Sequence, residues 1–368
     1  MKIAIDARII YTSTGRYVER LIKHLQEIDP ANQYIILLLA KDFERWQPSA
    51  PNFTKVVADY SPYTLNEQIN FARQLYGLRA DIVHFTMPQQ PLFYFRRHIT
   101  TIHDLTLIDH VNKRNEGLVN NLYKHYLKPA VFKLVMRTII KTSHHIITPT
   151  EYVKNQLTTR YPVKASKITV TFEAADKLTA EAEAYPPAIG KEYIFYVGNA
   201  YIYKNIGRLI EAFAVLHKLR PNLYLILAGK TDFFYQQLQQ KVEHDHIQNI
   251  IFTDFISDEN LGWLLQHAQL YVFPSLSEGF GLPGLEAMVQ GTPVISSNAS
   301  CLPEVYGSAA SYFDPYDVAD MAEKIDILLG DKAELASLKA AGLERVKMFS
   351  WEKMARETLE IYNLPRSN

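Results

Sequence analysis

The sequence predicts an α/β protein of two doubly wound domains with parallel sheets, on three observations. The chain has 368 residues, too many for one ordinary core and suited to two. Short apolar runs alternate with amphipathic stretches almost from end to end. Near the middle, residues 177–191 (KLTAEAEAYPPAIGK) break that alternation with a Pro-Pro pair and no strand pattern, as a linker does.

In the first half, residues 2–6, 34–40, 81–86, 100–103 and 144–148 read as strands. In the second half, residues 192–198, 223–229, 249–253, 270–274 and 293–297 do the same. Continuous apolar strands separated by helical patterns indicate parallel sheets covered on both faces. Residues 350–364 (SWEKMARETLEIYNL) read as a helix capped by Ser350, with Glu352 and Lys353 in its first turn. The organisation expected is a Rossmann-like domain over residues 1–176, a second over 177–349, and a terminal helix over 350–368.

Composition narrows the function classes. Lys+Arg and Asp+Glu each total 39, so no chain-wide field draws the protein to nucleic acid. A single cysteine, Cys301, excludes an intrachain disulfide and a thiolate metal cluster and fits a reducing compartment. The opening Met-Lys-Ile-Ala-Ile-Asp turns polar too soon for a signal peptide, and no apolar run approaches the roughly 20 residues that span a bilayer. The expectation is a cytoplasmic protein. A dinucleotide-binding oxidoreductase shares the alternation but needs G-x-G-x-x-G after its first strand. Here that loop is Tyr11-Thr12-Ser13-Thr14-Gly15-Arg16, and the second half opens with Gly198-Asn199-Ala200-Tyr201; both fail the pattern.

The most informative segment is residues 274–291 (PSLSEGFGLPGLEAMVQG). A buried strand runs into a polar turn, then Gly279 and Gly281, then Pro283 at a first helical position. The glycines let backbone approach a ligand, and the N–H groups of a helix start attract an anion such as a diphosphate. Glu278 lies in the loop and Glu286 eight positions on, about one turn into the helix. Both can face one pocket and accept hydrogen bonds from vicinal diols of a sugar and a ribose. The plain alternative is a strand–turn–helix junction with surface glutamates; a glycosidase carboxylate pair fits less well, because it has no use for an anion site.

The run Glu278-Gly279-Phe280-Gly281-Leu282-Pro283-Gly284-Leu285-Glu286 resembles the Glu-x7-Glu signature of family 4 retaining glycosyltransferases. Other segments resemble that family in the same order: Gly15-Arg16-Tyr17, Thr101-Ile102-His103-Asp104-Leu105, Thr148-Pro149-Thr150-Glu151, Tyr196-Val197-Gly198-Asn199 through Lys204-Asn205, and Thr292 to Asn298 with Leu302-Pro303-Glu304-Val305. Together they cover essentially the whole chain. The resemblance implies the GT-B fold: two Rossmann-like domains whose parallel sheets face across a cleft, the first binding acceptor, the second nucleotide-sugar, with the C-terminal helix crossing back to the first. The activity implied is retaining, metal-independent transfer of a hexose, with a lean to GDP-mannose, to a glycan or lipid-linked acceptor. A non-catalytic nucleotide-sugar-binding scaffold and a GT-B-like sugar phosphorylase are the alternatives.

Carried over residue by residue, the resemblance makes His103, Glu278 and Lys204 catalytic. Lys204 contacts the donor diphosphate from a helix start, Glu278 and Glu286 hold sugar and ribose, and Gly279, Phe280, Gly281 and Leu282 form the turn around them. Gly15 and Arg16 close over the diphosphate; Gly198, Asn199, Gly229, Lys230, Phe255 and Ile256 flank the nucleotide. His103 positions the sugar, with its backbone carbonyl one means of doing so. The family often has Arg at the position of Asn199 and Gly at that of Ser13; either Arg208 substitutes for the missing cation or Lys204 and backbone amides carry more of the leaving-group charge. No Asp-x-Asp triplet or His/Cys/carboxylate cluster at metal spacing occurs, so the reading expects no metal and no cofactor.

A basic stripe, Lys124, Lys128, Lys133, Arg137 and Lys141, recurs at helical spacing with only Glu116 near it. It reads first as a solvated helix face and second as a peripheral contact with anionic lipid at the inner face of a membrane, to which the Phe93-Tyr94-Phe95-Arg96-Arg97 run would add.

Overall fold

A computed structural model describes residues 1–12, 14–62, 64–106, 128–178 and 181–365, with only the backbone described at 128–131. Ser13, Glu116 and Lys124 lie outside the described residues, as does the side chain of Lys128. The chain divides into two units: the described residues up to Glu173 with those from Ser350 onward, and Ala174 to Phe349.

Each unit is one parallel sheet with helices in its crossovers. The first sheet has seven strands: β1 (Lys2–Asp6), β2 (Gln33–Leu38), β3 (Phe53–Val57), β4 (Ile82–Phe85), β5 (His98–Thr101), β6 (His145–Thr148) and β7 (Ile168–Val170). Their spatial order is β3-β2-β1-β4-β5-β6-β7. The second has β8 (Glu192–Val197), β9 (Leu223–Ala228), β10 (Ile250–Phe252), β11 (Leu270–Phe273), β12 (Val294–Ser297) and β13 (Ala310–Phe313), ordered β10-β9-β8-β11-β12-β13. In both sheets the chain winds outward from the first strand and then restarts on that strand's other side. The reversals fall between β1 and β4 and between β8 and β11, and the crevice beyond the carboxyl ends of such strands is where open α/β sheets bind ligands.

Ten strands match the apolar runs in the sequence. Three were not anticipated, and all three are edges: β3, β7 and β13. An edge strand is covered less completely, so Phe-Thr-Lys-Val-Val, Ile-Thr-Val and Ala-Ser-Tyr-Phe lack the continuous apolar run. β5 also begins and ends two residues earlier than the sequence suggests. His103 therefore lies two residues beyond its end, not at its last position.

The terminal helix Trp351–Tyr362 starts where Ser350 accepts a hydrogen bond from the Lys353 amide. It packs on the helix Gly15–Ile28 through a buried face that includes Met354, Ala355 and Ile361. Its last residue anchors it. The Tyr362 hydroxyl lies 2.7 Å from Nδ1 of His84, whose Nε2 lies 2.8 Å from Oγ1 of Thr101, which in turn is 3.1 Å from the Tyr17 hydroxyl. All four residues are buried. Burial, with help from the charge of His103, holds the His84 pKa down at about 3, so the ring is neutral and gives one N–H and one lone pair to this chain.

Tyr362→Phe keeps the packing but strands one nitrogen of a fully buried imidazole. A loss of about 1–3 kcal/mol is expected, read as a lower urea midpoint with an unchanged far-ultraviolet dichroism spectrum. An unchanged midpoint would mean that the hydroxyl does not anchor the helix.

Candidate active site

In the second unit Gly198, Asn199, Lys204 and the run from Glu278 to Glu286 follow the two strands of the β8/β11 reversal, while Gly229, Lys230, Phe255 and Ile256 follow β9 and β10. Beyond β8, Ile202–Lys204 forms one 3-10 turn, and Asn205 reverses the chain in the left-handed region (φ 62°) before the helix Ile206–Leu219. Lys204 therefore precedes the helix and does not start it. Asn205 is buried and ties three segments together: Nδ2 donates to the carbonyls of Pro274 (3.1 Å) and Pro315 (2.8 Å), and Oδ1 accepts from Arg208 (2.9 Å). The Leu276 amide donates to the Tyr203 carbonyl, joining the loops after β8 and β11. These bonds bring Lys204 Nζ to 2.6 Å from Glu278 Oε1, with only 12% of each side chain exposed.

The turn after Glu278 admits no side chain at two glycines. Gly281 has φ 90°, and a Cβ there would come within 2.6 Å of Leu302 and Tyr306. A Cβ on Gly284 would meet the Tyr306 ring at 2.4 Å, while the Tyr306 hydroxyl donates to the Gly281 carbonyl. The helix Leu282–Val289 begins on this scaffold with Pro283 at its second position, one later than the sequence suggests. Pro283 has no amide hydrogen and the Gly284 amide donates to the Gly281 carbonyl (3.2 Å), so the helix start presents few amides to an anion. Glu286 follows in the second turn, half-buried. Phe280 offers a ligand only its backbone, because its ring is buried edge-on against Phe349.

The loops after β8, β9 and β10 are also interlocked. The Tyr235 hydroxyl donates to the Gly198 carbonyl at 2.9 Å, and a Cβ on Gly229 would strike that carbonyl at 2.1 Å. Asp254, at φ 60°, accepts from the Thr231 amide, and this bond lowers its pKa. Beside it Phe255 stands 83% exposed, Lys230 is exposed and Ile256 half-buried. Asn199 builds the turn instead of supplying charge: Oδ1 accepts from the Tyr201 amide and its carbonyl from the Tyr196 hydroxyl.

In the first unit Gly15 opens the helix Gly15–Ile28 against backbone so close that a Cβ would lie 2.0 Å from the Ile9 carbonyl oxygen. Arg16 follows it, half-buried. His103 is buried with both ring nitrogens engaged: Nε2 lies 3.0 Å from the Thr86 carbonyl oxygen and Nδ1 3.0 Å from Glu173 Oε1. Neither partner can donate, so the geometry calls for an imidazolium. Burial pulls the His103 pKa down, but the hydrogen bond and charge of Glu173 outweigh it and the net shift is upward. The ring, edge-on to Tyr17 at 4.8 Å, has no nitrogen left for a sugar; its backbone carbonyl is the group to present. At the end of β1 the buried Arg8 pairs with Asp6 (2.8 Å) and Glu67 (2.9 Å).

Comparison with known proteins decides the class. Residues 179–345 match the model described as "Glycosyl transferases group 1", and residues 14–176 match "Glycosyltransferase Family 4". The two matches account for nearly the whole chain. The chain belongs to the family 4 glycosyltransferases. The glycosyltransferase is 29% identical over 293 residues to O-antigen chain mannosyltransferase B of Escherichia coli, covering 74% of this chain and 73% of that one. It is 34% identical over 193 residues to the serotype-specific mannosyltransferase WbdA of Escherichia coli, covering 51% of this chain but 23% of the relative, so it spans about a quarter of that protein's length. Sucrose-phosphate synthase from Thermosynechococcus elongatus shares its fold, with a TM-score of 0.76 at 19% identity over 99% and 98% of the two chains. Its two Rossmann-like units are those of the GT-B architecture.

Glu173 escaped the sequence reading, as did Asp6, Arg8 and Glu67. The signal available was position: Glu173 lies three residues past β7, and Asp6 ends β1, at the carboxyl end of the sheet where open α/β sheets bind ligands. Glu173→Gln should bring the His103 pKa down to the ordinary histidine value or below, since a flipped amide can donate to a neutral ring. A group with a raised folded pKa stabilises the fold fully below the unfolded value of about 6.5 and loses that contribution as pH rises through the folded value. Wild type should therefore titrate His103 above the ordinary histidine value and the variant at or below it, as read from the ring's NMR titration. Identical titrations would show that Glu173 does not set the charge.

Proposed function

We propose that this glycosyltransferase transfers mannose from GDP-mannose, with retention and without a metal ion, to a glycan or lipid-linked acceptor. The observation that carries the reading is the Lys204–Glu278 pair at the β8/β11 reversal, beside the start of the helix Leu282–Val289. Lys204 and the positive end of that helix's dipole meet the charge that develops on the departing diphosphate, the task a metal performs elsewhere. Glu278 and Glu286 accept hydrogen bonds from sugar and ribose hydroxyls. The acceptor oxygen forms its bond to the anomeric carbon on the face from which the diphosphate leaves, and its proton passes to the departing phosphate oxygen. Two relatives named as mannosyltransferases favour mannose over other hexoses. Among the described residues no three His, Cys, Asp or Glu side chains are placed to hold a metal ion. Among them, too, no helix is long and apolar enough to cross a membrane.

The test is a panel of GDP-, UDP-, ADP- and dTDP-sugars, assayed for thermal stabilisation and turnover in excess EDTA. GDP-mannose should stabilise most and be consumed in the chelator, its anomeric configuration retained in the product. Preference for a UDP-sugar would reassign the donor. Activity lost to EDTA and restored by magnesium or manganese would overturn the metal-free reading.

A further inference from the structure

The first unit carries a concave site at the opposite end of its sheet from His103. It is a cavity of about 1090 Å³ at the amino ends of β6 and β7, bounded by the helix Lys128–Thr142, the segment leading into β7 and the chain after the terminal helix. A net charge of zero for the whole chain leads one to expect mixed signs in such a lining. Instead Arg137, Lys141, Lys164 and Lys167 line it together with His144 and His145, and no described lining residue is acidic.

The positive charge is not compensated within the cavity. Lys167 Nζ donates to the carbonyls of Ile140 (2.8 Å) and Lys141 (3.1 Å) and so caps the last turn of the helix. Arg137, Lys141 and Lys164 are exposed, and none forms an ion pair with a described residue. Deeper in, His145 is buried with Nε2 2.8 Å from Thr169 Oγ1, and His144 is half-buried beside it. The charges facing the two rings are Arg97, Lys167 and the rings themselves. Burial first and these cations second lower both pKa values, that of His145 to about 4. Two neutral imidazoles thus sit where an arriving anion would make protonation favourable.

We infer that this cavity binds a phosphate-bearing organic anion at a site separate from both reaction-site residue groups. Three unpaired cations and two protonatable rings suit the charge of a phosphomonoester or diphosphate, and the hydroxyls of Ser166 and Thr169 suit its several oxygens. The volume exceeds what phosphate alone needs, and Ile140, Val163 and Leu364 give the remainder an apolar wall. The described part of the basic stripe meets this account: Arg137 and Lys141 line the cavity mouth, while Lys133 is exposed on the same helix. The aromatic–basic run does not join it as a patch, since Tyr94 is buried and Arg97 donates to the carbonyls of Tyr362 and Leu364.

The test follows the ring resonances of His144 and His145, assigned with His144→Asn and His145→Asn, while inorganic pyrophosphate and then a short alkyl diphosphate are added to the full chain. These signals belong to residues that line this cavity. Both ligands should raise both pKa values saturably, the alkyl diphosphate at lower concentration. Arg137→Glu with Lys164→Glu, both at the exposed mouth, should weaken this at least about tenfold without changing donor turnover. Vesicles of phosphatidic acid in phosphatidylcholine identify the source: competition with pyrophosphate assigns a lipid headgroup, and no competition assigns a soluble phosphate. Histidine signals that ignore all three probes, or respond equally in the charge-reversed variant, would overturn the inference.

Discussion

The ion pair between Lys204 and Glu278 is the contact on which the proposed donor site depends. Two oppositely charged side chains, each 12% exposed, are held 2.6 Å apart beyond the carboxyl ends of β8 and β11. Removing such groups from water costs about what their attraction returns, so a pair of this kind is weak evidence for stability. Its value is that both charges are fixed before a ligand arrives. The surrounding structure serves that end: buried Asn205 splices the loops that carry the pair, and Gly281 and Gly284 let Tyr306 brace the turn between Glu278 and the helix amides. A cation placed in advance beside a helix start meets developing charge without reorganisation, which is where electrostatic catalysis gains most.

The first unit repeats the arrangement with other residues. Glu173 raises the His103 pKa, and Asp6 with Glu67 holds Arg8; both basic groups are buried or nearly so at the carboxyl end of the sheet. For His103 the consequence is orientation. With Nε2 given to Thr86 and Nδ1 to Glu173, the ring becomes a brace and the backbone beside it becomes the presenting group. The chain from Tyr362 through His84 and Thr101 to Tyr17, whose ring abuts His103, ties the terminal helix to the same neighbourhood.

Most of the fold was legible because central parallel strands are continuous apolar runs, and a chain repeating strand and helix has few ways to pack them. The edge strands β3, β7 and β13 were not, since half-covered strands need no such run. At the candidate site, the turn that brings Glu278 to Lys204 was readable because its glycines, Gly281 and Gly284, stand where no side chain fits. The order of short elements was not: Lys204 falls in a turn before its helix because Asn205 adopts a left-handed conformation that local composition does not demand. Glu173 was invisible for a different reason. Its role exists only through His103, 70 residues away, and pairings of that range are made by sheet order, not by local pattern.

The central claim is that Lys204 recognises the diphosphate and Glu278 the sugar, although each now satisfies the other. Calorimetric titration of the free nucleoside diphosphate and of the intact donor into wild type, Lys204→Ala and Glu278→Gln separates these roles. Lys204→Ala should weaken both ligands by roughly 10- to 150-fold, the equivalent of one charge-assisted contact. Glu278→Gln releases Lys204 from its partner, so it should bind the free diphosphate at least as tightly as wild type while losing affinity for the intact donor. Unchanged diphosphate affinity in Lys204→Ala, or equal losses for both ligands in Glu278→Gln, would contradict the account.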